Sequence, residues 1–139
     1  MKIASIANMT DLDKIIYIDR EVIGNNSRGE MIKKAIELEH CIIVKEEDAI
    51  TGFLIYDTNF FGCSFILLII ISPSKRRKGY ASKLIEYMMD HSPTQKVFSS
   101  TNRSNVNMQK VFKKNGFTES GIVENLDEGD PEIIYFRLK

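Results

Sequence analysis

An excess of charge of either sign is missing from this chain: Lys plus Arg and Asp plus Glu number 19 each. A neutral total offers no whole-molecule attraction to nucleic acid or to an anionic membrane. Cysteine is scarce, with Cys41 and Cys63 standing singly in apolar segments. No CxxC pair and no metal-ligand spacing exists, so a dithiol redox site and a zinc site are excluded and no metal is expected. Both cysteines read as small buried hydrophobes in a reducing compartment. His40 and His91 have no partner pattern either. The longest apolar run is far too short to span a bilayer, and no signal-type segment is visible, so a cytoplasmic location without membrane insertion is expected. Repeats, low-complexity tracts and linkers are absent. The 139 residues argue for one domain over 1–139. An apolar content of 43% against 27% charged separates the chain from a disordered one.

The periodicities that are present alternate in type. Lys2 to Ile6 reads as a short strand. Thr10 suits an N-cap, with Asp11 and Asp13 favourable in the first turn, and Leu12, Ile15, Ile16, Val22 and Ile23 keep helical spacing up to Gly24. A second helix is expected over Arg28 to Glu39. Cys41 to Val44 and Gly52 to Tyr56 read as strands around a turn at Glu46-Glu47-Asp48, with Asp57-Thr58-Asn59 as punctuation. Phe65 to Ile71 is apolar on both faces, which predicts a central strand. Ala81, Leu84, Ile85 and Met88 form one helical stripe that Pro93 closes. Lys96 to Ser100 is a short strand. Ser104 can cap a helix bearing Met108, Val111 and Phe112, with Gly116 at its C′ position. Phe117 to Val123 and Ile133 to Leu138 finish as strands around an acidic loop, Asn125 to Pro131. Strands and helices alternate centrally and hairpins fall at both ends. The fold class expected is α/β of the α+β type, a mixed, mostly antiparallel sheet flanked by helices.

The most informative segment is 66–81. The apolar run Ile66-Leu67-Leu68-Ile69-Ile70-Ile71 stops at Ser72-Pro73. Lys75-Arg76-Arg77-Lys78 follow, and Gly79-Tyr80-Ala81 open an amphipathic stretch. A buried strand, a basic loop and a helix start bring free backbone N–H groups, a positive dipole end and cations to one spot, which suits phosphate. Such a run alone is usually a solvated surface; its place between a central strand and a helix favours ligand binding, and Gly79 lets backbone approach closely.

With these residues in view, the chain resembles a GCN5-related N-acetyltransferase (GNAT) of the small, single-domain bacterial kind. Arg76-Arg77-Lys78-Gly79-Tyr80-Ala81 matches the family pattern Gln/Arg-x-x-Gly-x-Gly/Ala. Asn105 through Gly116-Phe117 matches Asn-x-x-Ala-x-x-(apolar)-Tyr-x-x-x-Gly-Phe with two departures: Met108 replaces the small residue and Phe112 the tyrosine. The resemblance implies the acyl-CoA N-acyltransferase fold, acetyl-CoA as donor and an amine as acceptor, in a monomer or homodimer. It implies that backbone groups of Ile69, Ile70 and Ile71 bond the pantetheine, and that the amides of Lys78, Gly79, Tyr80, Ala81 and Ser82 cradle the pyrophosphate. Arg76 and Lys78 would add charge, with Arg77 either joining them or solvated. Asn105 would bond the pantetheine or merely start a helix, and Phe112 would line the channel.

Acetyl transfer needs a neutral amine, a stabilised oxyanion and a departing thiolate. A backbone N–H near Ile70 or Ile71 would serve the oxyanion. Relatives use the tyrosine before Gly-Phe as acid; Phe112 cannot act so. Tyr135 and Glu21 are the replacement candidates, the first as a hydroxyl on the last strand, the second as a carboxylate acting on the amine through water. Each has a plain alternative, packing for Tyr135 and solvation for Glu21. Asp130 and Glu132 could attract a cationic acceptor, and Ser99 to Asn102 could contribute polar contacts. The competing reading is a CoA-binding sensor or interaction domain that has lost its chemistry. A nucleic-acid module lacks interleaved aromatics, and a Walker-type site lacks its Gly-x-x-x-x-Gly-Lys-Ser/Thr.

Overall fold

The computed structural model describes residues 1–139. Seven strands are hydrogen-bonded in the order β1-β2-β3-β4-β5-β7-β6: β1 (Lys2–Ile6), β2 (Cys41–Glu46), β3 (Ala49–Phe60), β4 (Cys63–Ile71), β5 (Lys96–Asn102), β6 (Thr118–Val123) and β7 (Glu132–Leu138). The helices are α1 (Leu12–Ile23), α2 (Gly29–Glu37), α3 (Tyr80–His91) and α4 (Val106–Lys114). β4 and β5 run parallel, while β1–β2, β2–β3, β5–β7 and β6–β7 are antiparallel. This is the mixed, mostly antiparallel sheet with helices that the sequence leads one to expect. The chain forms two compact units, Met1–Tyr56 with Leu68–Met88, and Asp57–Leu67 with Met89–Lys139.

In the first unit, α1 and α2 lay their apolar stripes on β2 and β3. Ile15, Ile18, Ile32 and Ile36 pack with Cys41, Ile43, Phe53 and Ile55, and Leu68 and Ile70 of β4 join at the margin. The two helices are tied by an ion pair: Arg28 Nε and one terminal nitrogen donate to the two carboxylate oxygens of buried Asp19, at 3.0 and 2.5 Å. Gly24 ends α1 at φ +83°, a left-handed cap that glycine adopts without a Cβ penalty. The turn before α1 differs from expectation. Asn8, not Thr10, is the cap: its side chain accepts from Thr10 N while Asp11 accepts from Asn8 N, a reciprocal capping box over Met9–Asp11. Asn reaches the orphan amides two and three residues on, which Thr10, already inside the turn, cannot.

Two strand boundaries also shift. Glu47 and Asp48 take φ of +53° and +65° and turn β2 into β3, as placed from the sequence. Asp57, Thr58 and Asn59 do not punctuate; they lie inside β3, whose turn falls at Phe61 and Gly62, both left-handed. Polar side chains fit a strand whose end is only half-buried, so their chemistry misled about the backbone.

In the second unit, β5, β7 and β6 form the sheet, with Ser99 paired to Tyr135 and Tyr135 to Glu119. Tyr135 and Ile133, on the face toward α4, are buried. Asn105, not Ser104, caps α4, accepting from Met108 N at 3.1 Å. The Ser104 hydroxyl and amide are instead spent on Asp130, at 2.6 and 3.0 Å. Gly116 follows α4 at φ +84°, as its C′ position requires.

Candidate functional site

The basic segment between β4 and α3 is built within the first unit. β4 ends at Ile71, Ser72 N donates to Thr51 O at 2.8 Å, and one short turn, Pro73–Lys75, precedes Arg76. Lys75, Arg76, Arg77, Lys78 and Gly79 are all exposed. Gly79 has φ +83°, as its place in the pattern demands, but Arg77 is left-handed too, at +64°. A long L-side chain pays roughly 1–2 kcal/mol to sit there, and nothing in the sequence signals it. Left-handed residues in a loop turn backbone N–H groups toward a common concavity, the geometry that receives anions. Lys83 N donates to Gly79 O at 3.2 Å, so the α3 ladder begins at Gly79 and the first-turn amides have no acceptor within the helix.

Two residues from distant parts of the chain, Lys2 and Glu46, brace this loop together with Tyr80. The Lys2 ammonium donates to the Lys78 carbonyl and lies 5.2 Å from the Tyr80 ring centroid. The Tyr80 hydroxyl donates to Glu46 Oε1. That bond holds the Glu46 carboxyl below its ordinary range, helped by the N-terminal ammonium, Lys2 and Lys78. The same bond pushes the Tyr80 hydroxyl upward. Neither Lys2 nor Glu46 carries a motif, and only the fold brings them to the loop.

Ile69, Ile70 and Ile71 continue β4 beyond Ile66, the last position in its parallel register with β5. They are half-buried and Leu67 is 43% exposed, so the central strand is not covered on both faces as its composition predicts. Gly52 of β3 passes against them: a Cβ there would meet Ile70 O at 2.8 Å and Ile71 Cδ1 at 2.6 Å. The role of Gly52 in seating β4 was missed from the sequence, where it reads only as a strand start.

Glu21 extends from α1 to the end of β4, where Ser72 Oγ donates to its Oε1 at 3.3 Å. Both line a cavity of about 580 Å³ with Asp13, Lys14, Tyr17 and Asp48. In the second unit, Phe112 is buried between Phe117 and Tyr135, with ring centroids 5.4 and 5.0 Å away. Tyr135 is buried, its hydroxyl without a hydrogen-bond partner, and burial, with Glu119, pushes that hydroxyl upward. The other polar candidates are engaged in local structure. Ser99 donates to Ile66 O at 2.9 Å, Ser100 to Glu132 at 2.7 Å, and Asn102 to Asp127 at 2.8 Å.

The sequence model of the Acetyltransferase (GNAT) family matches residues 9–117. The chain belongs to that family. A GNAT-family acetyltransferase from Bacillus cereus ATCC 10987 is 62% identical over 100% of this chain and 98% of its own, with a TM-score of 0.98. At the level of fold, the GNAT chain also matches the ribosomal-protein-S18-alanine N-acetyltransferase from Escherichia coli (17% identity, TM-score 0.84, 99% of this chain and 94% of that one). It likewise matches yncA from Salmonella typhimurium, solved with its cofactor acetyl-CoA (13%, 0.79, 99% and 93%). No curated protein gives a significant match. No helix of this GNAT chain is long and apolar enough to cross a membrane. Its loop has the chemistry that the diphosphate of the family's donor requires: two left-handed residues, Arg77 and Gly79, exposed cations at Lys75, Arg76, Arg77 and Lys78, and no side chain at Gly79.

Proposed function

We propose that this GNAT enzyme transfers an acetyl group from acetyl-CoA directly to a primary amine, within a ternary complex of one 139-residue domain. The observation that carries the reading is the left-handed pair Arg77 and Gly79 at the start of α3, ringed by exposed cations and directly following β4. The relative solved with acetyl-CoA supports the choice of donor.

Acetyl-CoA supplies an acetyl group already activated as a thioester. Backbone amides from Lys78 to Ser82 would hold the diphosphate, with Arg76, Arg77 and Lys78 lending charge. Backbone groups of Ile69 to Ile71 would pair with the pantetheine as a further strand does, and an N–H near Ile70 or Ile71 would stabilise the developing oxyanion. The family resemblance alone assigns Asn105, which caps α4, and buried Phe112 to the pantetheine. Asp13, Glu21 and Asp48 line the cavity beside Ser72 and favour an ammonium-bearing acceptor. Glu21 would take its proton through water. Phe112 has no proton to give, and a thiol with an ordinary pKa of about 8.5 needs none to depart. Tyr135, packed against Phe112, serves the core.

A thiol-release assay over a panel of small amines and peptides tests the reading. At least one amine should release CoA thiol, and Glu21→Gln should lower kcat about 10- to 100-fold with the donor KM unchanged. The second reading, a CoA-binding sensor, is favoured by one observation, Phe112 at the family's tyrosine position. It gains if CoA binds and no amine releases thiol.

A further inference from the structure

β1 lies outside the segment that matches the family, which begins at residue 9, yet it touches the phosphate loop. In the β1–β2 ladder Lys2 stands opposite Glu46. From there the Lys2 ammonium bonds the Lys78 carbonyl, packs over Tyr80 and lies 3.4 Å from where a Cβ on Gly79 would stand. Glu46 completes the brace through Tyr80, and the N-terminal ammonium is 3.9 Å from Glu46 Oε2.

We propose that Lys2 is a positioning residue for the diphosphate of the acyl donor, acting through the Lys78–Gly79 peptide; this rests on the acetyl-CoA reading above. The peptide bond is trans, since the chain has no cis bonds. Its C=O and N–H therefore point in opposite directions. Holding the Lys78 carbonyl at Lys2 turns the Gly79 N–H away from Lys2, toward the far side of the loop. The peptide runs into Gly79, a left-handed residue without a Cβ, and so has rotational freedom that an ordinary loop peptide lacks. An ammonium anchor on its carbonyl removes that freedom before the anion arrives, so less ordering remains to be done on binding. The ammonium also polarises the peptide it bonds, which makes the Gly79 N–H a better donor to phosphate. Tyr80 and Glu46 keep the lysine in place from the other side, because the cation packs on the ring whose hydroxyl Glu46 holds.

Calorimetry with CoA, with dephospho-CoA and with pantetheine tests this on the full chain. Lys2→Met should weaken CoA about ten-fold and dephospho-CoA, which keeps the diphosphate, by the same factor. Pantetheine, which has none, should bind both proteins alike. Lys2→Arg should restore most of the affinity, because a cation can still reach the carbonyl. Tyr80→Phe, which frees the brace without touching Lys2, should weaken CoA by a smaller factor. A purely structural role would lower the melting temperature and weaken all three ligands together, and that result overturns the proposal. So does a Lys2→Met protein that binds CoA as the wild type does, or one that loses affinity for CoA alone, which would place Lys2 at the 3′-phosphate. A wild type that binds no CoA overturns the acetyl-CoA reading and this inference with it.

Discussion

The ring of Phe112 stacks on that of Tyr135, centroids 5.0 Å apart and planes 28° from parallel, and the Tyr135 hydroxyl beneath it has no partner. An orphaned buried hydroxyl costs about 1–3 kcal/mol. Tyr135→Phe should therefore stabilise the protein by roughly 1 kcal/mol, read as a higher melting temperature, with kcat within about two-fold of wild type. A loss of kcat of about a hundred-fold or more would instead make Tyr135 the acid that position 112 lacks. Phe112→Tyr adds one oxygen to a closely packed site and should change kcat by only a few-fold.

The loop itself carries backbone strain that substitutions at two positions, Arg77 and Gly79, separate. Gly79 at φ +83° is where glycine belongs, so Gly79→Ala should cost about 1 kcal/mol of stability. Gly79→Glu, which adds bulk and negative charge at the proposed diphosphate site, should abolish detectable CoA binding while circular dichroism shows an intact fold. Arg77→Gly should do the reverse for stability, raising it by roughly 0.5 kcal/mol as the left-handed strain is relieved against the entropy of glycine. A lower melting temperature for Arg77→Gly would contradict the strained geometry.

What the sequence carried and what it hid divide along one line. Local patterns were readable: Gly24 and Gly116 as helix ends, Gly79 before α3, the apolar run of β4 and its central place in the sheet. Neighbouring residues decide these features. The Asn8 to Asp11 box is present in the letters, but the Thr10 hydroxyl competes for the same slot. Asp57 to Asn59 have the side-chain polarity of a turn on the backbone of a strand. The left-handed Arg77 and the brace of Lys2, Glu46 and Tyr80 had no local signal. Lys2 bonds a residue 76 positions away, and only the β1–β2 ladder brings it there.

Gly52 should tolerate no side chain. The Cβ of Gly52→Ala would sit 2.8 Å from Ile70 O and 2.6 Å from the Ile71 side chain, and a backbone oxygen cannot step aside as a flexible side chain can. β4 must shift, at a cost of about 1–3 kcal/mol, and the donor KM should rise because Ile69 to Ile71 move with it. Denaturant unfolding and donor titration measure the two effects. Wild-type values for both would mean that β3 does not seat β4.

Cys41 should be chemically silent. Burial pushes its thiol from an ordinary 9.0 up to about 12, with Asp11 adding to the effect. The folded state then holds its proton where the unfolded state releases it. Stability is therefore unaffected by this group below pH about 9 and declines as pH rises through the window toward 12. At pH 8 a thiol reagent should label Cys63 in the native protein and reach Cys41 only in denaturant. Fast native labelling of two thiols would show that the core around Cys41 opens.

The central claim is that the loop between β4 and α3 binds the diphosphate of CoA. Isothermal titration of the wild-type protein with CoA and, separately, with ATP tests it most directly. We expect micromolar CoA binding, about −8 kcal/mol, and ATP weaker by an order of magnitude or more, because only CoA carries a pantetheine for the contacts proposed along Ile69 to Ile71. ATP binding as tight as or tighter than CoA, or no CoA binding at all, would contradict the account.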